Sequence, residues 1–232
     1  MGRFDTLKIL SMSDEHKVQL ARNRNASEDM LTKLCKYSNA RVLEAAASNP
    51  NTPKEALVER LIEVITDKKR DIRESAIGVI KKLRRKKRIN VELSLRLTQL
   101  LRDSDWIRSS EIVKALGVLG SRASTGTICS LIHIALREAD TFQSPRYEFT
   151  EDDVKIKQWV IKTDTDEGQV DADKVYRRFI LNSIRALGDI GDPDAVDDLQ
   201  SLRRSEYVKG EHIGAVVDGA LEKIRGGKNS RA

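Results

Sequence analysis

One short apolar phrase occurs four times in the sequence, at residues 76–80, 115–119, 186–190 and 220–224. Its copies read AIGVI, ALGVL, ALGDI and ALEKI, each with a small first residue and large apolar residues at the second and fifth positions. Self-similarity in a chain patterned for helices is typical of stacked-helix solenoids, in which each repeat buries its apolar face only against its neighbours. The sequence therefore predicts an all-α fold, a right-handed α-solenoid in the form of a superhelix.

Composition agrees with a repeat array of 232 residues rather than one large core. Aromatic residues make up 4% of the chain and charged residues 34%, which favours stripes of Leu, Ile, Val and Ala with charged outer faces. No run approaches the roughly 18 apolar residues of a membrane span, and no signal peptide is evident, so we expect a cytoplasmic protein without membrane contact. Cys35 and Cys129 lie in apolar helical patterns, which predicts two buried thiols rather than a disulfide or a metal pair.

A different pattern recurs near the N-terminus, where residues 23–31 (NRNASEDML) return as residues 49–57 (NPNTPKEAL). Asn suits tight turns, Ser27 or Thr52 can take an N-cap or near-cap position, and Pro53 suits a first helical turn, so each copy is predicted to begin a helix. This stretch resembles the variant leucine-rich repeats, whose solenoids alternate α-helix with tighter helical turns. The resemblance implies a repeat geometry and no activity. The cysteine cluster that holds an iron–sulfur centre in some members is not present, and no cofactor is expected.

Residues 186–196 (ALGDIGDPDAV) predict two helices joined by a tight turn. Gly191 is placed to end the first helix in a left-handed conformation, while Asp192 can cap the second and Pro193 can occupy its first turn. The small residues of the phrase would allow close approach where the paired helices cross. From residue 67 onward the phrases resemble HEAT repeats, which implies a HEAT-like or armadillo-like solenoid. Apolar positions of two copies match at a constant offset of 71: Leu116, Leu119, Ile128 and Leu131 against Leu187, Ile190, Leu199 and Leu202.

The phrases are spaced 39, 71 and 34 residues apart, so the middle interval is about one repeat too long. A degenerate repeat or an insertion could fill it, and the alternating pattern of residues 154–161 favours an inserted loop or short hairpin. We therefore predict one continuous solenoid in five parts. They are variant leucine-rich-type repeats at 1–66, HEAT-like repeats at 67–136, an insertion at 137–175, further HEAT-like repeats at 176–226 and a tail at 227–232.

Charge is distributed unevenly about the net value of +6. Residues 68–88 carry eleven basic and two acidic side chains, and part of this run can complement the carbonyl end of a helix. The remainder predicts a surface for phosphate or an acidic partner. The candidate binding residues are Lys68, Lys69, Arg70, Arg73, Lys81, Lys82, Arg84, Arg85, Lys86, Lys87 and Arg88. The acidic insertion, with nine acids and three lysines between Glu148 and Asp173, adds three candidates: Trp159, Asp164 and Asp166.

Three functions are weighed on these features. The first is a non-enzymatic scaffold that binds another protein, within a complex, through a concave helical surface. The second is a nucleic-acid-binding subunit that contacts phosphates through residues 81–88. The third is an alkylpurine DNA glycosylase of the HEAT-like kind, suggested by Trp106 beside Asp105 and Arg108. The repeat phrases favour the scaffold. No catalytic residues, metal ligands or small-molecule substrate are predicted, because the three histidines show no ligand spacing and the Asp-rich stretch 163–168 lacks the spacing of a calcium loop.

Overall fold

In the computed structural model, described residues are 9, 11–37, 39–67, 69–83, 90–143, 172–205 and 211–229. All regular structure within these ranges is helical, with short 3₁₀ turns at Arg122–Ser124 and Pro193–Ala195. The expected all-α solenoid class, built from stacked helical repeats, is confirmed there. The helices are α1 (Asp14–Arg22), α2 (Glu28–Cys35), α3 (Ala40–Ser48), α4 (Lys54–Ile65), α5 (Arg70–Leu83), α6 (Asn90–Asp103), α7 (Trp106–Leu119), α8 (Thr125–Gln143), α9 (Ala172–Ile190), α10 (Val196–Arg204) and α11 (Glu211–Asn229).

The chain divides into two compact units, Met1–Leu93 and Ser94–Ala232, with the division inside α6. In the N-terminal unit, α1, α3 and α5 pack side by side, and α2 packs on α4 in a second layer. Leu31, Leu61 and Ile80 are among its fully buried side chains. Because α5 packs on both α3 and α4, the packing of this unit continues past residue 66.

Asn49 joins the two N-terminal repeats through its buried amide. Its side-chain nitrogen donates to the carbonyl oxygens of Ala21 and Asn23, both at 2.8 Å, while its side-chain oxygen accepts from the Asn51 N–H at 3.0 Å. One side chain therefore closes its own turn and binds two carbonyls at the C-terminal end of α1, where main-chain carbonyls lack partners within the helix. The expected turn role of Asn is confirmed, and the contact to the preceding repeat adds to it.

Ser27 lies at the N-cap of α2 and Thr52 lies one residue before the N-cap of α4, and the two side chains bond differently. Ser27 caps α2 by accepting from the Met30 N–H at 3.3 Å, as expected. Thr52 does not cap α4, because its hydroxyl instead donates to the carbonyl of Ala46 at 2.5 Å. Residues 14–65 form four regular α-helices, so the alternation with tighter helical turns implied by the variant leucine-rich resemblance is absent from this described stretch.

In the C-terminal unit, α9 packs directly on α7 and on α11, and α8 packs against α9. The small residues of the repeated phrase lie at these contacts. A methyl group added at Gly117 would lie 2.8 Å from the Cα of Ala186, and one added at Gly188 would lie 2.9 Å from the Cα of Ala220. The close approach is therefore between equivalent helices of successive repeats. The expectation that it occurs where the paired helices of one repeat cross is wrong.

The tight turns of this unit form as predicted. Gly191 adopts a φ of +68°, and Asp192 accepts from the Asp194 N–H at the start of the Pro193–Ala195 turn that leads into α10. Gly120 ends α7 in the same way with a φ of 70°. The apolar positions matched at offset 71 are buried, apart from Leu131, which is half-buried. The two copies are thus built alike.

The long interval between the second and third phrases does not add a layer between them, since α7 and α9 are in direct contact. Helix α8 continues to Gln143 and α9 begins at Ala172, so both extend into the range 137–175 that was expected to be an insertion. The expected hairpin at 154–161 lies outside the described residues.

The glycine contacts predict a position-dependent effect of added methyl groups. Gly117→Ala and Gly188→Ala should each lower the free energy of unfolding of the C-terminal unit by about 1–3 kcal/mol, because the neighbouring backbone must move away. Gly219→Ala, in α11, meets no atom within 4 Å and should be neutral or stabilise by up to about 1 kcal/mol. Urea denaturation followed by circular dichroism measures these changes, and equal effects at all three sites would contradict the close-approach account.

The Asn49 contacts predict that Asn49→Ala costs more stability than Asn51→Ala does. Asn49→Ala should lower the free energy of unfolding of the N-terminal unit by about 2–3 kcal/mol, because the buried amide contacts to the Ala21 carbonyl and the Asn51 N–H are lost, and the Asn23 carbonyl keeps only its bond from the Ala26 N–H. Asn51 is exposed and donates once, to the carbonyl of Arg24 at 2.6 Å, so Asn51→Ala should cost less than about 1 kcal/mol. Thermal and urea unfolding of both variants test the difference, which a similar cost for the two substitutions would refute.

Candidate interaction surface

Two neighbouring cavities lie beside α1 and α3 in the N-terminal unit, with volumes of about 520 and 280 Å³. They share Arg22, Ala45 and Ser48, so they form parts of one groove, which we call the basic groove. The larger cavity continues along the turn at 49–54, and the smaller one reaches Arg41 on α3. The volume of the larger cavity falls in the range of clefts that bind ligands, roughly 300–1,000 Å³.

Cations line the basic groove more densely than carboxylates do. Arg22 and Arg24 are exposed, and the described residues include no ion-pair partner for either. Two further cations of the groove are paired at its edges: Arg41 lies 3.4 Å from a Glu15 oxygen, and Lys54 lies 2.5 Å from a Glu92 oxygen. The two arginines at the end of α1 therefore carry positive charge that no described side chain neutralises.

The floor of the groove is made of small and buried side chains. Ala45, Ala47 and Leu57 are buried and leave an apolar surface, beside which Asn49 and Thr52 make their hydrogen bonds to main-chain carbonyls. Ala and Ser side chains leave space for a bound main chain to approach α3 closely. The groove therefore combines an apolar floor with cations along its sides.

The structure places some of the predicted basic residues near this groove. Lys82 lies 2.5 Å from Glu44, a residue of the smaller cavity, so the C-terminal end of α5 is next to the groove edge. Lys81 and Lys69 are exposed, and Arg70 pairs with Glu74 at 2.9 Å. The remaining surface candidates, Lys68, Arg84, Arg85, Lys86, Lys87 and Arg88, lie outside the described residues, as do Trp159, Asp164 and Asp166.

The prediction that Arg73 contacts a partner is wrong. Its side chain is only 2% exposed, and its guanidinium donates to the carbonyl of Asp67 at 2.9 Å. It therefore holds the turn before α5 in place rather than facing a partner. Its position within a dense basic run concealed that it falls on the inner side of the helix.

The aromatic cluster of the C-terminal unit has a packing role. Trp106 begins α7 and packs on the following repeat, where its ring makes edge contacts with Tyr176 and Phe179 at centroid distances of 5.6 and 4.8 Å. Glu138 accepts from the Trp106 ring N–H at 3.1 Å and from the Tyr176 hydroxyl at 2.8 Å. Burial and the bond to Glu138 raise the pKa of Tyr176.

Asp105, which the glycosylase interpretation would use as a carboxylate, caps α7. It accepts from the Arg108 N–H at 2.8 Å and lies 3.4 Å from the Arg108 guanidinium. Its side chain is buried. Both residues beside Trp106 are therefore engaged in forming the start of the helix.

A buried polar layer joins α7 to α9. The carboxylate of Glu111 is fully buried, lies 2.9 Å from Lys114 and accepts from the Arg178 guanidinium at 2.6 Å. Beside it, Asn182 donates to the Ser110 hydroxyl at 2.7 Å. The layer fixes the two helices in register, because a slip would leave a buried charge without its partners.

Sequence reasoning missed two sets of cations. Arg22 and Arg24 stand within a phrase that reads as a capping turn. The cations of the second set belong to α9, where only two of them are adjacent and they form no dense run, although helical spacing places several on one face. They are Lys174, Arg177, Arg178 and Arg185.

Histidine and cysteine side chains have structural partners. His133 pairs with Asp198 at 2.8 Å across α8 and α10. Cys35 and Cys129 are buried free thiols, as predicted, and burial raises their pKa values to about 11 and about 12. In the part of the chain that the structure describes, no three His, Cys, Asp or Glu side chains are grouped to hold a metal ion, and no helix is long and apolar enough to cross a membrane.

Comparison with known proteins finds similarity in one repeat. Residues 181–203 match the family described as PBS lyase HEAT-like repeat, which corresponds to the second half of α9, the Gly191 turn and most of α10. The search of curated proteins finds no match. Among solved structures, a designed armadillo repeat protein, YIII(Dq)4CqI, is similar over 94% of this chain and 98% of its own, with 14% identity and a TM-score of 0.39. The chain is an all-α repeat protein with a segment similar to the PBS lyase HEAT-like repeat.

Proposed function

We propose that this protein is a non-enzymatic interaction scaffold whose basic groove binds an extended acidic segment of a partner protein. The observation that carries the proposal is the position of Arg22 and Arg24, two exposed arginines without a described ion-pair partner: Arg22 lines both cavities of the groove, and Arg24 lines the larger one. A preformed groove between packed helices loses little conformational freedom on binding.

The chemistry of the groove favours a peptide segment over a compact small molecule. Its two cavities share Arg22, Ala45 and Ser48, and the small residues of its floor suit a main chain that passes along α3. Acidic side chains of such a segment would complement Arg22 and Arg24, and Lys54 and Arg41 would stand at the rim. Complementary charge of this kind contributes chiefly to specificity and to the rate of association.

We also propose that the protein acts in the cytosol as part of a complex, which its two free thiols suit. The likeness of the N-terminal repeats to variant leucine-rich repeats stays a proposal, supported by the recurrence of residues 23–31 at 49–57. Nucleic-acid binding is the second candidate, favoured by the exposed Lys81 at the end of α5, where the basic run begins.

The groove proposal predicts charge-dependent peptide binding. A fluorescein-labelled, Pro-containing Glu-rich peptide should bind the intact protein, while its Gln counterpart should not. Arg22→Ser with Arg24→Ser should weaken binding about tenfold or more, since each 1.4 kcal/mol of lost interaction changes affinity tenfold. The matched control is Arg122→Ser with Arg204→Ser, two exposed arginines of the C-terminal unit. Fluorescence anisotropy across a salt series measures the binding of both peptides to the intact protein and to each of the two variants.

The same titrations with single-stranded and double-stranded DNA and RNA distinguish nucleic-acid binding, the second candidate function, from peptide binding in the groove. Replacing residues 84–88 by Ser should leave Glu-peptide binding within about twofold of the intact protein, if the groove is the site. Loss of nucleic-acid binding in that variant, together with no Glu-peptide binding by the intact chain, would overturn the groove proposal. Equal weakening by the groove variant and its control would also count against it.

A further inference from the structure

Helix α9 is the central helix of the C-terminal unit, since it packs on α7, α8 and α11. One face of α9 is not covered by these three helices. Arg177, Leu181 and Arg185 follow one another at intervals of four residues on this face, with both arginines exposed and the leucine half-buried. Each interval advances about 6 Å along the axis and turns about 40° around it. We call these three residues the arginine stripe.

Charge on the stripe is not neutralised, although cations nearby are paired. Arg178 and Lys114 share the buried carboxylate of Glu111, and Lys223 of α11 lies 2.7 Å from Asp189 at the end of α9. Among described residues, neither Arg177 nor Arg185 has an ion-pair partner. Thus the neighbouring cations form ion pairs with carboxylates of α7 and α9, whereas the two arginines of the stripe form none with described residues.

The stripe is held rigidly from behind. Tyr176, Phe179 and Ile180 of the same helix are fully buried, and Tyr176 is hydrogen-bonded to Glu138 of α8. Contact of Gly188 with Ala220 fixes the other end of α9 against α11. Because the backbone of α9 is fixed along its length, the spacing of the two arginines is set before any partner arrives, which lowers the entropy cost of binding.

Leu181 decides which class of partner fits best. A leucine midway between two arginines offers apolar contact area that a phosphate backbone would leave unused, while binding to nucleic acid draws its affinity from many phosphate contacts. An amphipathic helix presents apolar and charged residues at intervals of three and four, which matches the intervals of the stripe. The arrangement therefore fits a helix with an apolar residue between two acids.

We propose that the arginine stripe is a docking site for a helix of a partner protein that carries acidic residues four positions before and four positions after an exposed apolar residue. The acids pair with Arg177 and Arg185, and the apolar residue packs on Leu181. This site lies in the C-terminal unit and uses none of the residues of the basic groove, so either proposal can fail without the other.

The test is a charge exchange with designed helical probes and the full-length chain. The acidic probe is an Ala-based helix with Leu at its centre and Glu four residues to each side, and the basic probe has Lys in place of both Glu. The intact protein should bind the acidic probe, and Arg177→Glu with Arg185→Glu should weaken that binding about tenfold or more while gaining affinity for the basic probe. Leu181→Ser should weaken both the binding of the acidic probe to the intact protein and the binding of the basic probe to the double variant.

Controls separate local pairing from general electrostatics. Arg204→Glu with Arg225→Glu changes net charge equally at two exposed arginines away from the stripe, and should leave acidic-probe binding within about twofold. Circular dichroism checks that every variant folds. The proposal is overturned if the control substitutions weaken acidic-probe binding as much as Arg177→Glu with Arg185→Glu does, or if the basic probe does not bind that double variant. It is also overturned if the intact chain does not bind the acidic probe and the double variant loses DNA binding.

Discussion

Close contact between successive repeats is the interaction on which each unit depends. In the C-terminal unit it is the approach of Gly117 to Ala186 and of Gly188 to Ala220, where any larger side chain would separate the helices. In the N-terminal unit the amide of Asn49 has the corresponding role, because it binds carbonyls of the repeat before it. A repeat cannot bury its apolar face alone, so these contacts decide how closely the next repeat stacks and which side chains remain outside.

The repeat phrases predicted the helical fold and its turns because those features depend on local residues. Gly191 and Asp192 act as expected, since a left-handed helix end and a capping carboxylate are specified within a few positions. Packing partners are not local. The sequence could not show that Gly117 meets a residue 69 positions later, or that Arg73 faces inward within a basic run. Surface cations were predicted where they formed a run, and missed where helical geometry or a turn brought them together.

The proposed functions assign different work to the two units. The basic groove is concave and lined by small residues, which suits an extended acidic segment, whereas the arginine stripe lies on one helix and suits a second helix. In both, the described structure holds the backbone in place and leaves two arginines unneutralised.

Mapping of bound peptides by amide chemical shifts tests the central claim most directly, because it asks where an acidic ligand binds rather than whether it does. With uniformly ¹⁵N-labelled protein, the account predicts that an extended Glu-rich peptide perturbs amides around Arg22, Arg24 and residues 45–54, and that residues 177–185 remain unchanged. Perturbation confined to residues 81–88, or spread evenly over exposed basic residues of both units, would contradict it, since either pattern would show that charge alone and not the preformed groove selects the ligand.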